Sequence, residues 1–143
     1  HHNDANIRGG FLHLAHNTDR AALTRAVLEG VTHALRDSFD AMTQTGTKID
    51  SLIAVGGGSK SDYWLKAIAT SLNMPIQLPA AGDFGGALGA ARLGRMAATG
   101  EGAELAVPPP ISRTIEPDAN LVDNFAEAHG RYADAYRAVK FLR

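Results

Sequence analysis

The sequence predicts an α/β fold, and three observations carry that prediction. Leu52-Ile53-Ala54-Val55 is a continuous apolar run of strand length. An amphipathic helical pattern precedes it, and a second one follows a glycine-rich turn. A short second strand and a third helix continue the alternation. Helix, strand, helix, strand, helix in series implies a partly parallel sheet with helices packed against it.

Each element has its own signal. Residues 9–15 (GGFLHLA) alternate loosely and read as an edge strand or an ordered loop entering a helix. Thr18 or Asp19 can cap that helix, because a short side-chain oxygen accepts from the free N–H groups of the first turn. Apolar residues then fall at Leu23, Ala26, Val27, Val31, Ala34, Leu35, Phe39 and Met42. Steps of three and four place them on one face of a helix of about six turns. Gly46 can end it as a C-terminal cap. The run Leu52 to Val55 is apolar throughout, as expected of a strand buried on both faces. The second helix fits Asp62 to Leu72, with Trp64, Leu65, Ile68, Ala69 and Leu72 on one side. A strand is expected over Pro75 to Leu78, and a third helix from Phe84 to about Ala98. Residues 1–99 thus form the first unit. Residues 100–118, with Pro108-Pro109-Pro110 and Pro117, read as a surface connection. Residues 119–143 read as a last helix, striped by Leu121, Phe125, Tyr132, Tyr136 and Val139. No internal repeat is present.

Composition narrows the function classes. The 143 residues suffice for one ordinary domain. Hydrophobic residues at 45% and charged residues at 20% are globular values, which exclude a disordered chain. A net charge of −1 argues against nucleic acid as a partner. No apolar run approaches the length of a membrane span. The absence of cysteine excludes disulfides, thiolate nucleophiles and zinc–sulfur sites. No signal peptide is recognised, and a cytoplasmic protein is expected. The chain opens His1-His2-Asn3-Asp4 without Met. The His pair is native or a tag remnant, and the gene is expected to begin upstream.

The glycine triplet after the first strand is the most informative motif. Gly56-Gly57-Gly58-Ser59-Lys60-Ser61 removes side chains from a strand-to-helix turn, so the backbone can take positive φ and approach a ligand. The next helix start offers free N–H groups and a positive dipole end, which suit a phosphate. Lys60 adds a cation, and Ser59 and Ser61 add hydroxyls. Asp62 opposes an anion unless it faces solvent or caps the helix. The dinucleotide pattern G-x-G-x-x-G fails, because Ser61 stands at its third glycine. The Walker pattern fails at Ala54 and Ser59. A tight turn without a ligand and a nucleotide loop both remain open on local chemistry.

Gly85-Gly86-Ala87-Leu88-Gly89-Ala90-Ala91 opens a helix with a poor helix former, each interior Gly costing about 1 kcal/mol relative to Ala. Close packing on the sheet explains that, and so does contact with a helix of another domain. Asp83 suits the helix cap better than a metal or ligand contact. His13 and His16 are three apart but lack a third ligand, and His33 and His129 fall within helices, so no metal site is expected. Glu29 reads as a solvated or core-edge glutamate rather than a catalytic one. Trp64 reads as an anchor of its helix on the sheet, close enough to the turn to flank a nucleotide.

Taken together, these segments resemble the C-terminal part of an FGGY-family carbohydrate kinase, in particular the xylulose-specific members. The resemblance is carried by Gly10-Phe11-Leu12 and Arg25-Ala26-Val27-Leu28-Glu29-Gly30, then by Leu52 to Val55 running into Gly56-Gly57-Gly58-Ser59-Lys60-Ser61-Asp62-Tyr63-Trp64. It ends with Gly82-Asp83-Phe84-Gly85-Gly86-Ala87-Leu88-Gly89-Ala90-Ala91, and His2-Asn3-Asp4 also fits. It covers residues 2–98; the tail agrees only in helical character. It implies a partial ribonuclease H-like domain of the actin and hexokinase superfamily. It further implies that Gly56, Gly57, Gly58, Ser59 and Ser61 bind the nucleotide. Gly57 and Gly58 would lie against the α-phosphate and ribose, and Ser61 near the adenine. The 85–91 helix would pack on its counterpart in the first domain. Ser59 departs from a more usual Ala, and Leu14 from a common Gly.

By the same resemblance, the parent enzyme transfers the γ-phosphoryl of MgATP to a sugar hydroxyl, D-xylulose by overall likeness. The sugar pocket, the phosphate-binding turns and the general-base aspartate are expected outside this chain. No catalytic residue is therefore assigned here, and Mg²⁺ is expected to be held mainly by parts outside it. A different FGGY sugar or polyol kinase is the alternative, as is a non-catalytic nucleotide-binding or interaction module of the same superfamily. With two strands evident, the sheet is expected to be incomplete and its edge exposed. A homo-oligomer or the remainder of the same polypeptide is the expected partner, and the missing Met is what a fragment would show.

Overall fold

The computed structural model describes residues 7–80 and 85–141. The expected Asp83 cap, the segment 82–84 and His1 to Asp4 lie outside the described residues. The described residues form four α-helices: α1 (Arg20–Gln44), α2 (Asp62–Leu72), α3 (Gly85–Thr99) and α4 (Val122–Val139). Three strands, β1 (Leu52–Ile53), β2 (Ile76–Pro79) and β3 (Ile111–Ile115), form one sheet in the order β1-β2-β3.

Local chemistry sets the helix ends. Asp19 caps α1, its carboxylate accepting from the Ala22 N–H at 2.7 Å. At the other end, Gly46 takes φ +87°, and the N–H groups of Gly46 and Thr47 bond back to Thr43 and Met42 at 3.0 and 3.3 Å. This reversal satisfies carbonyls that the helix leaves unpaired. Asn73 ends α2 in a left-handed conformation, with φ 49°. Arg36 of α1 donates to the Ser71 carbonyl there and pairs with Asp40 at 2.8 Å. Residues 9–15 are an irregular loop, not a strand.

The core lies between α2 and one face of the sheet. Leu65 and Ala69 of α2 pack with Ile76 and Leu78 of β2, flanked by Leu52, Ala54, Ile68 and Ile115. Fully burying each larger aliphatic side chain is worth about 2 kcal/mol. β1 pairs with β2 in parallel, Leu52 opposite Ile76, so β1-α2-β2 is the predicted parallel unit. The connection expected over 100–118 contains more than a linker. Ile111–Ile115 pairs antiparallel with β2, Ile76 opposite Ile115. Its neighbouring prolines hide it from pattern reading, and an exposed edge position tolerates them.

Two further expectations fail in the same way. β1 is covered on one face only, because Ile53 and Val55 are about half exposed. The apolar stripe of α1 is not its packed face either. Val27, Val31, Leu35 and Met42 are exposed, whereas Thr32 and His33 are buried. The accessible surface totals 9837 Å² for 15.1 kDa. A closed monomer of that mass exposes about 7,100 Å². Val27, Val31 and Leu35 of α1, Ile53 of β1 and Leu93 of α3 are among the exposed apolar side chains that contribute to the surplus.

α4 packs near α1 through rings. His33 lies 5.5 Å from Tyr132, 5.9 Å from His129 and 6.1 Å from Phe125. Its Nδ1 is buried without a hydrogen-bond partner among the described residues. Burial, then the neighbouring His129, holds its pKa below the ordinary histidine value. The unfolded chain therefore binds the proton more readily, and stability falls as pH drops through about 6.5, levelling off below the folded-state value. Urea unfolding at pH 7.5 and pH 5 is expected to show that loss, and His33→Phe is expected to shrink it.

Candidate functional site: the glycine turn

The end of β1 feeds a single 3-10 turn, Gly57–Lys60, which leads straight into α2. Its three glycines answer three different demands. Gly56 has φ 84° and ψ −176°, a conformation open essentially to glycine alone. Gly58 lies under the Trp64 ring, where an added Cβ would sit 2.8 Å from the indole carbon Cζ3. Gly57 has nothing within 4 Å of where a Cβ would stand. The Gly57 and Gly58 N–H groups open the turn and have no acceptor within it.

The two serines have structural duties. Ser59 Oγ donates to the Gly56 carbonyl at 2.7 Å, and the Ser59 N–H donates to the same oxygen at 3.1 Å. Ser61 caps α2, its Oγ accepting from the Trp64 N–H at 3.3 Å. Its hydroxyl proton stays available to a ligand. Asp62 neither caps nor stands alone. Arg113 of β3 donates to both its carboxylate oxygens at 2.5 and 3.2 Å. This guanidinium holds the Asp62 pKa below its ordinary value and offsets the negative charge beside the turn.

α1 anchors the turn through α2. Trp64 Nε1 donates to the Leu28 carbonyl and to Thr32 Oγ1, both at 3.1 Å. Trp64 is thus tied to α1, whereas the sequence suggests the sheet; the indole N–H needs an acceptor, and Leu28 and Thr32 supply two. Tyr63 donates from its hydroxyl to Glu29 Oε1 at 2.9 Å, and Arg25 Nε donates to that oxygen at 2.7 Å. Glu29 is the expected core-edge contact. The Arg113 and Thr32 contributions were not legible in sequence, since both depend on long-range pairing.

The first residue of α3 lies against the chain just past β1. A Cβ on Gly85 would lie 3.0 Å from Val55, whereas Gly86, Gly89 and Gly94 face open space. No described residue of α3 is buried, so sheet packing explains Gly85 alone. Among the described residues, no group of three or more His, Asp or Glu side chains can hold a metal ion. No helix there is long and apolar enough to cross a membrane. The donors at Gly57 and the paired charge at Asp62 fit a nucleotide phosphate; nothing in the described residues fits a metal on its own.

A parallel strand, a glycine turn and a capped helix make up one α/β unit. Residues 1–98 match the FGGY family of carbohydrate kinases, C-terminal domain. The chain belongs to that family. It is 38% identical over 120 residues to a xylulose kinase of Escherichia coli K12, covering 82% of this chain and 25% of that protein. Among solved structures, a Brucella ovis protein described as a xyloylose kinase is 56% identical, with a TM-score of 0.87 over 99% of this chain and 30% of that one. A gluconate kinase from Lactobacillus acidophilus is 25% identical with a TM-score of 0.78, over 95% of this chain and 28% of that one. The chain therefore spans between a quarter and a third of the length of these three relatives. The family uses ATP and a metal in general. The fold is that of the actin and hexokinase superfamily.

Alanine substitution separates the glycine roles. Gly58→Ala is expected to lower the melting temperature and shift the Trp64 emission, because the ring must move. Gly57→Ala is expected to leave both near the parent values. Equal effects at the two positions would contradict these assignments.

Proposed function

We propose that this chain is the nucleotide-binding end of an ATP-dependent sugar kinase acting on D-xylulose. The open backbone at Gly57, framed by Gly56 and by Gly58 under Trp64, is the observation that carries the reading. In it, the N–H groups of Gly57 and Gly58 bind the α-phosphate region, and Ser61 offers its hydroxyl proton near the adenine. Ser59 holds the turn closed through its hydroxyl bond to the Gly56 carbonyl and completes the ligand-facing set. Arg113 keeps Asp62 from repelling the phosphates. MgATP supplies the transferred phosphoryl group and the cation that neutralises its charge. The general-base aspartate, the sugar pocket and most of the metal's ligands belong to other parts of the polypeptide. The open glycine face of α3, at Gly86 and Gly89, suits close packing against a helix of the first domain. A cytoplasmic enzyme and a homo-oligomeric assembly complete the reading.

The likeness to a gluconate kinase favours one second reading. A similar domain occurs in a kinase named for a sugar acid, so a different FGGY substrate is compatible with every residue described here.

Isothermal titration tests the nucleotide reading. ADP is expected to bind the protein, and Gly57→Asp is expected to abolish that binding by filling the open space and adding a like charge. No heat with either protein would contradict the reading. The isolated chain is expected to show no kinase activity. Release of ADP that depends on both ATP and D-xylulose from the pure chain would overturn the placement of the catalytic base elsewhere.

A further inference from the structure

We propose that Trp64 is a positioning residue for the nucleotide turn, transmitting the position of α1 to the backbone of Gly58. The inference rests on the nucleotide reading of that turn. The indole spans the gap between the two elements. Its Nε1 edge is held by α1, at the Leu28 carbonyl and Thr32 Oγ1. Thr32 is fully buried, and its own hydroxyl donates to the same Leu28 carbonyl at 2.9 Å. The ring is therefore clamped by a closed set of three hydrogen-bonding groups that water does not reach at Thr32. The opposite, benzo edge faces Gly58, with Cζ3, Cε3 and Cη2 at 2.8, 3.4 and 3.8 Å from the position a Cβ would take. Gly56 and Gly57 have no neighbour within 4 Å of theirs. Trp64 is thus the side chain that sets the level of the glycine turn from the protein side. Ordinary packing would need the ring alone. The paired acceptors fix its tilt as well, and the tilt decides how far the Gly58 N–H projects toward a phosphate. A rigid neighbour of this kind holds ligand groups within the tolerance that binding requires.

The test uses the intact protein carrying this sequence, with ADP binding measured by titration and the KM for ATP measured beside kcat. Trp64→Phe keeps an aromatic ring and removes the N–H. It is expected to weaken ADP about three- to tenfold, the effect of one displaced hydrogen bond, and to raise the KM with kcat little changed. Thr32→Val is expected to act in the same direction, and Thr32→Ser to retain parent affinity. Thr32→Val also serves as the variant to read if Trp64→Phe does not fold. A lower melting temperature with ADP affinity within twofold of the parent, in the folded variants, would reduce Trp64 to packing and overturn the proposal. Absence of ADP binding by the parent protein would instead overturn the nucleotide reading, and this proposal with it.

Discussion

The hydrogen bonds from the Trp64 indole to Leu28 and Thr32 are the constraint on which the rest of this structure depends. They fix α2 against α1 at the end of α2 that carries the glycine turn. The Arg36 contact to the Ser71 carbonyl fixes the other end. Between these two ties, Leu65 and Ala69 present one face of α2 to the sheet. α2 is thereby a rigid wedge, with the sheet on one side and α1 on another. The turn at its start inherits that rigidity. A phosphate-binding backbone needs it, because N–H groups that must be ordered by the ligand cost affinity to order.

The same arrangement explains what is left uncovered. α1 meets α2 through Thr32 and the Leu28 carbonyl and α4 through His33, and turns Val27, Val31 and Leu35 outward. Ile53 of β1 and Val55 just beyond it are likewise exposed. A surface this apolar is costly in water. It fits a chain that spans a quarter of the length of its E. coli relative, whose remaining length can cover such faces. Gly86 and Gly89 of α3 likewise face open space.

The fold was legible wherever one element's signal was local. Asp19, Gly46 and the limits of α2 follow from capping residues and apolar spacing. The family was legible because its motifs are short and ordered, and the structure supplies the physical reason for their spacing. Leu28 and Glu29 of one motif bond Trp64 and Tyr63 of the next, and Val55 touches Gly85 of the third. What escaped depends on partners far apart in sequence. β3 sits among prolines and gains its order from β2. Arg113 reaches Asp62 only once that strand has paired. The exposed stripe of α1 misled because apolar periodicity reports which face is to be buried, not whether this chain supplies the cover. At the site, the glycines were evident, but their division of labour was not. Only the backbone angle at Gly56 and the ring beneath Gly58 separate them from Gly57.

The central claim is that the turn from Gly56 to Ser61 is where a nucleotide meets this protein. Amide ¹H–¹⁵N shifts followed during an ADP titration measure that most directly. The account predicts that the Gly57 and Gly58 amides move first and furthest, while the Trp64 indole N–H keeps the shift of a group bonded to α1. Saturating ADP that leaves every amide of the turn in place would contradict it.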